Sequence, residues 1–367
     1  MATDSNGSAI VRIWNIQRVS FVERDEIVGK KTSNFFYVMR KLSYIFFALT
    51  VVILIQACSR QPKVTRTDTP TSGVAEIAVD ECLAPIIQQE IDVFEALNHE
   101  ASIIPRYTNE LNAYDLLMAD SLRLVIGTRD LTENEKKIIQ ERKRRPRSQR
   151  IAIDGIALIV NKANIDTLIS VSDLKKIMLG EVRTWKELYP QSKLGDIAVG
   201  FDSPNSSTVR YIKDVVCEGK AFGDNIVAKS VDQETIEVSD TIPSQKVIDF
   251  VASTPNALGI LGVNWVIDPA DTTSLSFTNK VKVMSVSNEL KATKEDSYKP
   301  YAAFIALEKY PLRRDVFVII TDVSGGLPSG FVTFVAGDRG QRIIVKSGLV
   351  PGTRPSRLIR VNPTFTD

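Results

Sequence analysis

From Gly73 onward, short apolar runs alternate with amphipathic stretches at helical spacing. VAEIAV (Val74 to Val79) reads as a strand, and the next segment, Ala84 to Asn98, sets Ile87, Ile91, Phe94 and Leu97 on one helical face. A second strand over Ser102 to Tyr107 leads to a helix over Glu110 to Asp120, with Asn109 as its cap. Leu122 to Gly127 is a third strand, and Thr132 with Glu135 forms a capping box at the start of a charged helix. Arg150 to Asn161 (RIAIDGIALIVN) is the most apolar strand region. Beyond it the pattern predicts a helix over Asp173 to Leu179, capped by Ser172 and stopped by Gly180. A strand over Ile197 to Phe201 and a helix from Ser207 to Glu218, closed by Gly219, follow. Ser244 caps a helix over Gln245 to Ser253; Leu258 to Trp265, Val281 to Val286 and Asp315 to Thr321 read as strands. Pro328 opens one long final helix through Lys346. This alternation predicts an α/β protein with largely parallel sheets, long enough for two domains.

The segment ahead of this body has a different character. Met39-Arg40-Lys41 is a short basic start, Leu42 to Ala57 (LSYIFFALTVVILIQA) carries no charge, and Cys58 follows. A charged start, an apolar core and a small residue before a cut site describe a secretory signal over 39–57. Sixteen uncharged residues fall short of the roughly 20 that a membrane span needs. Ile55-Gln56-Ala57-Cys58 resembles the lipobox of bacterial lipoproteins, which implies acylation of Cys58; an uncleaved signal anchor is the alternative. Residues 1–38 lack signal character and are expected to be a non-native or disordered extension before the true start at Met39, or else a cytoplasmic tail. Residues 58–73, polar and rich in Thr and Pro, read as a flexible tether.

Composition narrows the chemistry. There are 46 basic and 44 acidic residues, a net charge of +2, too balanced to argue for a nucleic-acid partner. With Cys58 acylated, only Cys82 and Cys217 remain; they are free to pair, yet nothing requires it. The single histidine, His99, and two thiols do not suggest a zinc or haem site, and no cofactor is expected. Arg142 to Arg150 packs six basic residues into nine (RKRRPRSQR), broken by Pro146, and reads as a solvated loop.

In open α/β sheets ligands lie beyond the carboxyl ends of strands, at helix N-termini. Four turns qualify: Asp80-Glu81-Cys82, Thr108-Asn109-Glu110, Thr128-Arg129-Asp130, and Asp202 to Thr208 (DSPNSST). In the last, Asn205, Ser206, Ser207 and Thr208 offer backbone N–H groups and hydroxyls that suit an anion, although the same residues are what a plain N-cap prefers. Asp154 is a further acidic candidate.

Ile177 to Tyr189 (IMLGEVRTWKELY), Asn205-Ser-Ser-Thr208, Asn256 to Trp265 (NALGILGVNW) and Tyr310-Pro-Leu312 occur in an order and spacing that resembles the phosphate-binding proteins of ABC transporters, Bacteroidetes-type lipoproteins in particular. The resemblance runs from about Ala75 to Pro351. It implies a type II periplasmic-binding fold of two α/β domains joined by crossing hinge strands: 74–152 with 268–367, and 153–267. It also implies capture of a small inorganic anion, phosphate foremost, in the interdomain cleft, and presentation to an ABC permease or other envelope partner. A sensory or scaffold lipoprotein that keeps the fold without binding phosphate is the alternative. An envelope hydrolase using Ser206 or Ser207 lacks a base.

Two departures shape the site expectation. The family's arginine, four residues before the Ser-Gly-Thr serine, is Asp202 here, and its aspartate after the third strand falls near Thr128 or Arg129. Either Arg129 supplies the cationic contact while Asp202 accepts the ligand's proton, or the two pair across the cleft as a latch. Glu110 beside an anion is unfavourable unless it contacts a proton or a cation.

Overall fold

The computed structural model describes residues 68–224, 229–230, 243–268, 276–321 and 325–353. The expected extension 1–38, the expected signal 39–57 and Cys58, expected to be acylated, lie outside the described residues. By its contacts the chain forms two units, 1–65 and 66–367; the second carries every element described below. Among the described residues no helix is long and apolar enough to cross a membrane.

The first half follows the pattern closely: β1 (Ser72–Asp80), α1 (Ala84–Leu97), β2 (Glu100–Thr108), α2 (Glu110–Met118), β3 (Leu124–Gly127) and α3 (Glu133–Glu141). Asn109 caps α2 by accepting from Asn112 N, and the Thr132–Glu135 capping box is formed. β4 (Arg147–Val160) is longer than expected, because the exposed end of the basic run is already strand. The last residues of the expected tether belong to the body instead. Ser72 and Gly73 pair with β2, and Asp68 accepts a hydrogen bond from Leu327 N at 2.8 Å.

Next come β5 (Leu168–Ser170), α4 (Val171–Met178), α5 (Trp185–Leu188), β6 (Ala198–Phe201), α6 (Ser207–Tyr211) and β7 (Lys229–Ser230). Ser170 caps α4 in place of Ser172, two residues earlier, by accepting from Asp173 N. α6 runs on into a wider π turn over Ile212–Val216, and Gly219 follows at φ +78°. After α7 (Pro243–Ser253), where Ser244 sits inside the first turn, β8 (Ala257–Gly262) ends before the expected Trp265, in a 3-10 turn over Val263–Trp265. β9 (Lys282–Val283), β10 (Ser285–Ser287), β11 (Ser297–Tyr298), α8 (Ala302–Ala306) and β12 (Arg313–Ile320) lead to the C-terminal helices. The expected long helix is two, α9 (Leu327–Ala336) and α10 (Asp338–Lys346), ahead of β13 (Val350–Pro351). Gly337 takes an extended ψ of 174° and breaks it, and a Cβ on Gly340 would lie 2.5 Å from Val335 Cα, so only glycine lets the second helix turn back so tightly.

The sheet is mixed rather than largely parallel. Its order is β2-β1-β3-β12-β4-β8-β6-β7. β2, β1 and β3 run parallel, as do β8, β6 and β7, while β12 and β4 enter antiparallel between these groups. β4 joins the groups: Arg147 to Gly155 pair with β12, and Ile156 to Val160 pair with β8. One apolar cluster holds α1, α9 and β1 together through Ile77, Ile87, Phe94 and Phe331; another packs Trp185, Phe201, Ile156 and Tyr310 around the second group.

Candidate functional site

All four turns singled out in the sequence meet at the carboxyl ends of their strands. Asp80 ends β1, and its Oδ1 accepts from Cys82 N at 3.1 Å. Asp202 ends the β6 turn: Oδ1 accepts from Ser203 N at 2.9 Å, and Oδ2 accepts from the Thr208 hydroxyl at 3.4 Å. Ser206 caps α6 by accepting from Val209 N at 3.2 Å. The Cys82 thiol lies 3.2 Å from the Ser207 hydroxyl, so the turns after β1 and β6 touch. Asp80, Cys82, Asp202, Ser207 and Thr208 are all fully buried, and Glu81 is buried in the 3-10 turn behind Asp80.

The cation at this junction is Arg314, which sequence reasoning passed over. It reaches in from β12, donating Nε to Asp154 Oδ2 at 3.0 Å, Nη1 to the Ser207 hydroxyl at 2.9 Å and Nη2 to Cys82 Sγ at 3.2 Å. A signal for it existed: in RRDVFVII the alternation that buries Val316, Val318 and Ile320 points Arg314 inward as well. Asp154, the further acidic candidate, lies mid-strand and is its partner in a fully buried ion pair. Gly262 leaves room for that pair, since a Cβ there would sit 3.2 Å from Asp154 Oδ2 and 3.4 Å from Arg314 Nη2.

Arg129 and Asp202 do not pair with each other. Arg129 donates two 2.8 Å hydrogen bonds to Glu135 of the capping box and stacks over the Tyr114 ring, 3.8 Å from its centroid. It is held by its neighbours in sequence, whereas Asp202 is satisfied within its own turn. The ion pair that does link the two groups of strands is Glu110 with Arg210 of α6, backed by the Thr128 hydroxyl, which donates to Glu110 at 2.9 Å. Glu110 thus meets the cation that its position demands. Arg210 was another residue that the sequence reading missed. Together with Arg129, Asn205, Ser206 and Phe222 this pair lines an open crevice of about 570 Å³. Arg129→Ala is therefore expected to lower stability by about 1–2 kcal/mol through loss of charged hydrogen bonds, and to leave solute affinity, read by calorimetry, nearly unchanged.

Burial dominates the electrostatics. It pushes Asp80 up to about 6, aided by the Glu110 charge and opposed by Arg314. Asp154 and Asp202 are likewise raised by burial, against the pull of Arg314 on Asp154 and of local hydrogen bonds on Asp202. Burial would raise Glu110 too, but the hydrogen bonds and charge of Arg210 hold it below its ordinary value. Burial pushes the Cys82 thiol well up, so it stays protonated beside Arg314. Cys82 and Cys217 are both buried, unpaired thiols. Asp80 Oδ2, Asp154 Oδ1 and Asn264 Oδ1 are buried and, among the described residues, lack a close hydrogen-bond partner. One buried guanidinium set among three carboxyls of raised pKa can exchange its thiol and hydroxyl contacts for an oxyanion, and the carboxyls can take up that anion's proton.

The profile of the PBP superfamily domain matches residues 64–339, three quarters of the chain. The chain belongs to the PBP superfamily. The Phosphate-binding protein PstS of Staphylococcus aureus (strain USA300) is 24% identical over 265 residues, which cover 71% of this chain and 72% of that protein. An ABC-type phosphate transport receptor from Vibrio cholerae aligns in three dimensions with a TM-score of 0.53 at 17% identity, covering 76% of this chain and 100% of that one. A phosphate binding protein from Stenotrophomonas maltophilia gives 0.54 at 13% identity, covering 77% and 92%. The mixed α/β architecture with its curled sheet is that of a type II periplasmic-binding fold.

Proposed function

We propose that this PBP-superfamily protein is an extracytoplasmic solute-binding protein that captures a small oxyanion, phosphate foremost, for ABC-type uptake, tethered to a membrane by lipid on Cys58. The observation that carries the reading is Arg314: a buried cation facing the Ser207 hydroxyl from one side and the β1 turn from the other. The division proposed from the sequence, 74–152 with 268–367 against 153–267, sets a hinge near Gly155, where β4 leaves β12 for β8. Opening about that hinge separates Cys82 from Ser207 and Glu110 from Arg210. An entering anion takes the freed Arg314 donors together with Ser207 and Thr208. Asp80, or Asp202, accepts the proton of the protonated oxyanion, and closure over it excludes water. Asp80, Glu81, Cys82, Asn109, Glu110, Asp154, Asp202, Asn205, Ser206, Ser207 and Thr208 remain the proposed site, now centred on Arg314 and without Arg129 as the cationic contact.

A second reading, a sensory or scaffold protein that closes without solute, is favoured by one observation. Arg314 is already engaged by Asp154, Ser207 and Cys82. Thermal unfolding with phosphate, sulfate and citrate separates the two. A ligand of the native state at about 100 times its Kd adds about 2.7 kcal/mol of stability, so phosphate should raise the midpoint while citrate does not. An unmoved midpoint at millimolar phosphate favours the scaffold.

A further inference from the structure

The basic run RKRRPRSQR plays no part in the crevice. Arg142 donates to the Met118 carbonyl, Arg144 pairs with Asp120 at 3.3 Å and Arg150 with Asp315 at 3.4 Å. Lys143, Arg145 and Arg147 are exposed and, among the described residues, take no ion pair. Lys143 also occupies a position that favours glycine. It holds φ +59° just past the end of α3, with its N–H on the Gln140 carbonyl and that of Arg144 on the Ile139 carbonyl.

Strand register places this run. Ile320 of β12 pairs with both Arg147 of β4 and Leu124 of β3, and β3 runs parallel to β1. Arg147 therefore lies at the amino ends of the parallel strands, the pole opposite Asp80, Thr108 and Thr128. The chain enters the body at that same pole, where Asp68 bonds Leu327 just beyond β12. From Arg147 to Asp154 the strand climbs about 23 Å, so the patch stands well away from the buried cation.

We infer that this patch docks on a bilayer surface bearing anionic phospholipid headgroups and turns the crevice away from the membrane. The inference rests on the proposed lipid at Cys58. The stretch from Cys58 to Asp68 spans at most about 35 Å. A bilayer is thus always within reach of this pole, which an acidic protein or a nucleic acid is not. Each basic residue near an anionic surface strengthens binding about fivefold, weakened by salt.

The test is sedimentation of residues 66–367, the self-contained unit, with vesicles of phosphatidylcholine alone or with phosphatidylglycerol. Binding is expected only to the anionic vesicles and should fall with salt. Joint reversal of Lys143, Arg145 and Arg147 to Glu should weaken it by more than about 100-fold, the loss expected from neutralising three charges alone; Lys291→Glu with Lys294→Glu, the same kind of charge change elsewhere, should weaken it far less. Equal binding to neutral vesicles, equal loss in both variants, or binding to duplex DNA but not to vesicles overturns the inference. Membrane retention of full-length Cys58→Ala in cells tests the anchor separately, so failure on vesicles with anchoring intact sinks this inference alone.

Discussion

Arg314→Met is expected to lower stability by about 3–5 kcal/mol and to abolish solute binding, because it strips the partner from a buried carboxylate. Asp154 is fully buried and its Oδ2 pairs with Arg314, while Asp80 and Asp202 are buried carboxyls that also feel the Arg314 charge. Without the guanidinium all three carboxyls sit in low dielectric with no cation inside the junction, so their pKa values should climb further and unfolding should become easier as pH rises. Pairing the change with Asp154→Leu should recover most of the lost stability, since a buried ion pair replaced by apolar groups of similar volume is often neutral. The double variant should still fail to bind phosphate. That split is the decisive readout: stability restored with binding absent places the Arg314–Asp154 pair on the ligand, whereas binding restored along with stability leaves the pair structural. Chemical denaturation and titration calorimetry on the same samples give both numbers.

Local chemistry made much of this molecule legible. The Asn109 cap, the Thr132–Glu135 capping box and the Ser206 turn depend on residues three positions apart, and each is formed. The meeting of the four turns followed from the rule that parallel strands end together. What escaped was every contact made over long distance. Arg314 lies 107 residues from Ser207, 160 from Asp154 and 232 from Cys82, and no local pattern links them. Arg129 looked like the cation because it follows a strand, yet Glu135 on the next helix claims it first. The mixed sheet was missed for a similar reason. β12 returns from the end of the chain to lie between β3 and β4, and apolar alternation does not encode strand direction. The break in the final helix turned on two glycines, and the helical pattern through Lys346 does not show that Gly340 must pass so close to Val335.

Glu90→Gln is expected to stabilise the protein at neutral pH. Glu90 falls on the inward face of α1 beside Ile86, Ile87 and Phe94, fully buried, and neither carboxyl oxygen has a hydrogen-bond partner. Burial raises it from an ordinary 4.5 to about 9. The native state therefore holds a proton that the unfolded chain releases above pH 4.5, and stability falls as pH climbs from 4.5 to 9. At 1.36 kcal/mol per pH unit this amounts to about 3 kcal/mol by pH 7. Glutamine keeps the shape and removes the titration, so its advantage should be absent at pH 4, near 3 kcal/mol at pH 7 by the same linkage, and larger at pH 8. Glu90→Leu should add to this by also removing the unsatisfied polar group. Denaturant midpoints for wild type and both variants across that pH range measure it; parallel curves with no widening gap would mean that the carboxylate reaches solvent.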